Sequence, residues 1–231
     1  MGFNANVCLA ASVVLACAGP LHAPKPGHAD LFGRVELLPR TGAPPSSETT
    51  ALYADRRYRD ARLVDYSRPG FAVVYTDTSP ALARTHVISI LDSRFGTELQ
   101  PSLSAMAVSD ELRLRNETAE AHLVSCPADG ELVTIEAGGE AVLRFARRGP
   151  RELVVLDRAS ARASVFVAPG PHAVVADSGT YELRDLAPGT HRVSVWHPRF
   201  PGQTQQVELV AGERTQVDLK LGVDLIGEDR P

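Results

Sequence analysis

The chain has 231 residues, which is enough for one large domain or two small ones. Its hydrophobic content of 44% and charged content of 23% are ordinary for a folded globular protein and argue against disorder. The formal net charge is −4, so the chain carries no surplus of positive charge with which to neutralise phosphates. We therefore expect no nucleic-acid partner.

The first part of the chain predicts export. Residues 7–18, VCLAASVVLACA, form an apolar run of the length typical of a signal-peptide core and too short to span a bilayer. Two processing sites fit: the sequence VLAC resembles a bacterial lipobox that would make Cys17 the lipidated residue, and LHA, ending at Ala23, is an ordinary cleavage site. We expect a signal peptide over 1–23, a linker over 24–30 and a location in the periplasm or outer membrane, with membrane contact only through a lipid on Cys17.

Export leaves a single usable thiol. Cys8 lies in the signal peptide and Cys17 at the processing site, so Cys126 is the remaining cysteine. One thiol forms no internal disulfide in an oxidising compartment. The sequence therefore predicts that the fold is stabilised by apolar burial.

The rest of the chain predicts β-structure. Leu112 and Leu114 alternate with Arg113 and Arg115, as expected of a strand with one buried face. Short runs of this kind recur between turn signals at the spacing of a β-sandwich. The predicted strands cover residues 32–38, 71–75, 86–91, 111–115, 121–125, 132–135, 141–145, 152–156, 164–167, 181–183, 191–196, 205–210 and 215–221. Residues 50–63 are predicted to be a solvated loop or a helix inserted after the first strand.

Two family resemblances organise these strands. In residues 178–198, a strand follows a turn at Gly179, and a second strand, ending in Trp-His, follows the turn at Pro188 and Gly189, so that the pair predicts a hairpin. With its flanks this stretch resembles a carboxypeptidase regulatory-like, transthyretin-like β-sandwich. Upstream, residues 71–126 resemble the cupredoxin-like half of periplasmic proteins of the methylamine-utilisation type.

Together the resemblances imply an all-β protein. A cupredoxin-like Greek-key β-sandwich is expected over 31–168, a small transthyretin-like β-sandwich over 165–222 and a tail over 223–231. In the methylamine-utilisation type, a pair like Arg115 and Asn116 closes a strand, and a histidine that matches His122 is the first copper ligand.

The expected copper loop departs from the family pattern. A type 1 copper site needs a Cys thiolate, a second His and usually a weak Met. The corresponding residues 149–167, GPRELVVLDRASARASVFV, contain none of these, and alignment puts Val155, Arg158 and Ala161 at the three positions. An arginine there would repel a cation. We therefore expect a cupredoxin-like domain without a metal or other cofactor.

Few residues remain as site candidates. The metal candidates are His122, Cys126, His172 and His197; the first two share a strand face, but two ligands fall short of the three or four that zinc or copper needs. A copper protein with such a displaced site is one alternative. Trp196, His197 and Arg199 are candidates for a flat edge that binds a sugar or peptide, unless Trp196 only packs.

No catalytic motif stands out. The sequence has neither a G-x-S-x-G elbow nor a strand-to-helix phosphate loop, so no catalytic residue is predicted. We expect a non-enzymatic binding or scaffolding protein of the cell envelope whose partner is an envelope protein or a glycan. A carbohydrate-binding accessory module is a further alternative.

Overall fold

The computed structural model describes residues 23–40, 66, 68–78, 83–94, 96–158 and 161–225. Its strands are β1 (Ala29–Leu37), β2 (Val73–Thr76), β3 (Thr85–Ser93), β4 (Gly96–Gln100), β5 (Leu103–Ala107), β6 (Glu111–Asn116), β7 (His122–Cys126), β8 (Glu131–Ile135), β9 (Glu140–Leu143), β10 (Gly149–Val155), β11 (Arg162–Ala168), β12 (His172–Val174), β13 (Thr180–Leu186), β14 (Gly189–Trp196), β15 (Thr204–Leu209), β16 (Arg214–Gln216) and β17 (Leu219–Leu221). A 3-10 helix covers Leu156–Arg158. Cys17 and the predicted segment 50–63 lie outside the described residues.

No helix within these ranges is long and apolar enough to cross a membrane. The expected all-β architecture of two sandwiches is confirmed.

The first sandwich consists of two facing sheets. Sheet I has the strand order β4-β3-β6-β9, and sheet II has the order β5-β11-β10-β7-β8. Alternation along each strand sends apolar side chains inward, as in β6, where Leu112 and Leu114 are buried. These residues, with Ile88 and Ile90 of sheet I, meet Val165 and the other inward residues of sheet II in one core.

The second sandwich also has two sheets. Sheet III has the order β12-β2-β14-β15, and sheet IV contains β13-β1-β16, with β17 also paired to β1. Val74, Val193 and Val195 of sheet III pack against Leu31 and Leu183 of sheet IV in a second core.

Two early strands pair differently from the expected division at residue 31. β1 pairs antiparallel with β13 and parallel with β16 and β17, while β2 pairs with β12 and β14. Both strands therefore complete the second sandwich, although the expected division assigned them to the first. The physical reason is long-range pairing, which strand periodicity does not encode.

Residues 178–198 were predicted to form a β-hairpin, but their two strands, β13 and β14, are not hydrogen-bonded to each other. β13 pairs with β1 in sheet IV, whereas β14 pairs with β2 and β15 in sheet III. The turn at Pro188 and Gly189 therefore carries the chain from one sheet to the opposite one, across the second core.

Three strands were not predicted, and one predicted run is divided. β4, β5 and β12 are short and contain polar or small residues that give no clear alternation. The run 215–221 becomes β16 and β17, because the amide of Arg34 donates to Asp218 Oδ1 at 2.9 Å rather than to a backbone carbonyl. The backbone of β1 also lies very close to the segment between β16 and β17: a Cβ on Gly33 would lie 1.8 Å from the carbonyl oxygen of Val217.

A third apolar cluster joins the two sandwiches. Phe166 and Ala168 of β11 point away from the first core and pack with Val73 of β2. Phe166 stacks on Trp196 with ring centroids 4.4 Å apart, and it lies 5.3 Å from the ring of Tyr75. We call this cluster, completed by Ala105 and Phe71, the junction. It places sheet II against sheet III, so the sheets stack in the order I, II, III, IV.

Truncating the central ring of the junction tests this arrangement. We expect Phe166→Ala to lower the free energy of unfolding by about 3–5 kcal/mol, because it removes a buried ring and leaves a cavity between the sandwiches. Urea denaturation followed by circular dichroism measures the change. Leu132→Ala, at a side chain that is 58% exposed, is the control and is expected to change stability by less than about 0.5 kcal/mol. A similarly small effect of Phe166→Ala would contradict the junction.

Candidate functional site

The candidate site lies at the end of the first sandwich, around His122. This side chain is buried at the start of β7. Its Nδ1 lies 2.9 Å from Asp157 Oδ2, and its Nε2 lies 2.9 Å from Thr118 Oγ1. Because an ionised carboxylate only accepts hydrogen bonds, Nδ1–H of His122 donates to Asp157. Both ring nitrogens are thus engaged within the protein.

Asn116 builds the loop that holds Thr118. The Nδ2 group of this buried residue donates to the carbonyl oxygens of Glu120 at 2.7 Å, Ile135 at 3.0 Å and Glu136 at 3.0 Å. Its Oδ1 accepts hydrogen bonds from the amide and the hydroxyl of Thr118, at 3.0 and 2.8 Å. The loop between β6 and β7 is therefore fixed by side-chain hydrogen bonds, and Thr118 faces His122.

Asp157 is the functional neighbour that the sequence did not single out. It lies in the 3-10 helix that follows β10, 35 positions from His122. Burial is the largest single influence on its carboxyl group and raises the pKa, but the hydrogen bond from His122, a backbone hydrogen bond and nearby positive charge together outweigh burial and hold the pKa below its usual value. The sequence gives one weak signal for Asp157: it is an acidic residue in the stretch 149–167, which lacks Cys, His and Met. On the solvent side of Asp157, the exposed pair of Arg158 and Glu120 is 3.3 Å apart.

The residues at the expected copper positions do not fit a copper ion. Val155 and Ala161 are buried in the first core and offer no ligand atom. The guanidinium group of Arg158 extends to the surface. Within the described part of the chain, no three His, Cys, Asp or Glu side chains come together in a way that could hold a metal.

Cys126 is too far from His122 to share an ion with it. The two residues occupy opposite ends of β7 and point into the same core, but four residues of strand separate their backbones by about 13 Å. The Cys126 thiol contacts Asp129 Oδ2 at 3.5 Å, and burial raises its pKa to about 11. The thiolate that would bind copper is therefore disfavoured.

The other two histidine candidates lie elsewhere. His172 is in β12, with Nδ1 3.4 Å from the carbonyl oxygen of Gly170. His197 follows β14, and its Nδ1 accepts hydrogen bonds from the backbone amides of Arg199 at 3.0 Å and Phe200 at 3.2 Å. Neither histidine joins His122.

The predicted binding edge is divided by the fold. Trp196 is half-buried, with one ring face stacked on Phe166 in the junction. The guanidinium carbon of Arg199 lies 5.7 Å from the ring centre of Phe200, so this side chain belongs to the loop after β14. Trp196 therefore acts as a packing residue between the sandwiches.

The described residues form a two-sandwich protein, and one family model matches part of the chain. Residues 153–222 match the family model of the carboxypeptidase regulatory-like domain, as the sequence resemblance implied. The match begins within β10 of the first sandwich and does not include β1 or β2. No curated protein matches the chain.

Similar solved structures include cupredoxins. A purple cupredoxin from Nitrosopumilus maritimus is 13% identical with a TM-score of 0.31, over 36% of this chain and 98% of its own. A mutant of amicyanin with Cu(I) is 15% identical with a TM-score of 0.31, over 41% of this chain and 97% of its own. Native pseudoazurin from Hyphomicrobium denitrificans is 17% identical with a TM-score of 0.30, over 36% and 74%.

Removing the Asp157 carboxylate tests the site. We expect Asp157→Ala to lower the free energy of unfolding at pH 7 by about 1–2 kcal/mol, since a buried imidazole loses a charged partner that is itself 38% exposed and so partly screened. The folded-state pKa of Asp157 is lowered, so its stabilisation is present above the ordinary carboxyl pKa of 3.8 and is lost as the pH falls through the folded value. Urea denaturation at several pH values measures both effects.

Glu120→Ala is the matched control, because it removes a carboxylate that is 70% exposed from the neighbouring surface pair. We expect it to change stability by less than about 0.5 kcal/mol. Equal effects of the two substitutions would show that the hydrogen bond to His122 contributes nothing of its own.

Proposed function

We propose that the protein is an exported, non-enzymatic binding or scaffolding protein of the bacterial cell envelope, with a metal-free, cupredoxin-like first sandwich. The single observation that carries this proposal is the engagement of His122. Its two nitrogens are hydrogen-bonded to Thr118 and Asp157, and among the residues that the structure describes no group of three metal-ligating side chains is found.

The same network supports a non-enzymatic role. A hydroxyl, an imidazole and a carboxylate in a row is the arrangement that activates a nucleophile in hydrolases. Here Thr118 is only 8% exposed, and its hydroxyl also lies within hydrogen-bond distance of Asn116 Oδ1 and the carbonyl oxygen of Glu120. A substrate has no access to this hydroxyl, so the row is better suited to holding the loop in place.

The junction supports a scaffolding role. Because Phe166 and Trp196 stack between the sandwiches, the two sandwiches are packed together and hold the loops at their exposed ends in fixed relative positions. Recognition residues are commonly found on loops that a rigid scaffold positions. We infer that an envelope protein or a glycan binds such loops, while the ring of Trp196 stays in the junction.

Copper titration tests the metal-free proposal. We expect addition of Cu(II) to the purified protein to produce no intense visible charge-transfer band, and Cys126→Ala to leave the spectrum unchanged, because Cys126 lies about 13 Å from His122 along β7. A copper-loaded amicyanin measured in parallel is the positive control. An intense band that disappears in Cys126→Ala would replace this proposal with the copper-protein alternative.

Cell fractionation tests export. We expect the full chain to reach the envelope fraction and a variant without residues 1–23 to stay in the cytoplasm, because the apolar run 7–18 is the proposed export signal. Labelling with a fatty-acid analogue then identifies the anchor: a label lost in Cys17→Ser but kept in Cys8→Ser assigns it to Cys17. Envelope location of the truncated variant would contradict the signal assignment.

A further inference from the structure

Two histidines from different sandwiches face each other beside the junction. His86 lies in β3 of the first sandwich, and His172 lies in β12 of the second. Their ring centroids are 6.4 Å apart, with 39° between the ring planes. Both side chains are half-buried, so two ionisable rings lie close together where the sandwiches meet.

A buried carboxylate lies on the His86 side of this pair. Asp110 Oδ2 accepts hydrogen bonds from the Ala107 amide at 2.7 Å and from Nε2 of His86 at 2.9 Å, and Oδ1 accepts one from the Arg84 amide at 2.8 Å. Burial alone would raise the pKa of Asp110, but these hydrogen bonds outweigh burial and hold the pKa below its usual value. Asp110 therefore stays ionised in mild acid, and its hydrogen bonds all come from residues of the first sandwich.

Among the described residues, no carboxylate is hydrogen-bonded to His172, whose Nδ1 lies 3.4 Å from the carbonyl oxygen of Gly170. Burial lowers its pKa most strongly, and the nearby charge of His86 acts in the same direction. The backbone at Gly170 and Ala105 and the charge of Asp110 act against this shift, without reversing it. The residue of β2 in register with His172 is Tyr75, and within the described ranges the charged groups that act on His172 are His86 and Asp110.

We propose that the His86–His172 pair makes the contact between the two sandwiches acid-sensitive, so that they separate in mild acid while each remains folded. A proton on His172 adds a positive charge 6.4 Å from the His86 ring, and the nearby carboxylate of Asp110 is already bonded to His86. Separation hydrates His172 and relieves the repulsion. The closed form binds fewer protons at His172 than the open form, so lowering the pH favours the open form.

The chain contains a built-in reporter of this change. Trp196 is its single tryptophan, and its ring is stacked on Phe166 in the junction. Separation of the sandwiches would expose the ring to water. His197 is the next residue and also has a pKa lowered by burial, so its own titration must be distinguished from that of His172.

Tryptophan fluorescence across pH 8 to 5 tests the proposal. In the wild-type chain we expect the emission to shift to longer wavelength and acrylamide quenching to increase as the pH falls, while far-UV circular dichroism stays constant. His172→Gln is expected to abolish the step, because glutamine cannot be protonated in this range. His86→Gln is expected to reduce it by removing the second positive charge, and this variant serves if His172→Gln does not fold. His197→Gln and His28→Gln are the controls and should keep the step.

Four results would overturn the proposal: no step in the wild-type chain, a step that persists in His172→Gln, a step that is lost in His197→Gln, or a fluorescence change accompanied by loss of the β signal. The third would assign the change to a local effect of His197 on the neighbouring indole. The fourth would show unfolding of the whole chain rather than separation of the sandwiches.

Discussion

Strand β11 is buried on both faces, and the arrangement of the sandwiches depends on this. Its inward residues Ala163, Val165 and Val167 lie in the first core, while Phe166 and Ala168 on the other face lie in the junction. An apolar strand of this kind needs cover on both sides, as central strands of multilayer folds do. Sheet III provides the second cover, because the chain continues from β11 directly into β12 at its edge.

This packing limits where recognition can occur. The junction takes up one ring face of Trp196 and also Tyr75, the aromatic residues most suited to a flat binding surface. The first core contains Val155 and Ala161 at the end where copper was considered. The loops and the outer strand edges therefore remain as the surfaces that a partner can reach, which is why the proposed function is assigned to them.

Local alternation was enough to predict most strands, but not their partners. In β6, Leu112 and Leu114 mark both the strand and its buried face. The same pattern does not reveal that β1 pairs with strands near the other end of the chain, or that β13 and β14 lie in opposite sheets. Likewise, His122 was a visible candidate, but its contact with Asp157 depends on a fold that joins residues 35 positions apart. Long-range pairing is a property of the packed structure, and no single segment encodes it.

The His122 network shows how a site of this kind can be closed without a metal. A buried imidazole that lacks a partner costs free energy, because its polar atoms lose water without replacement. Here Thr118 and Asp157 supply the missing hydrogen bonds, and Asn116 holds the loop that presents Thr118. The end of the sandwich is therefore satisfied internally, and a metal that bound one ring nitrogen of His122 would have to displace Thr118 or Asp157 from that nitrogen.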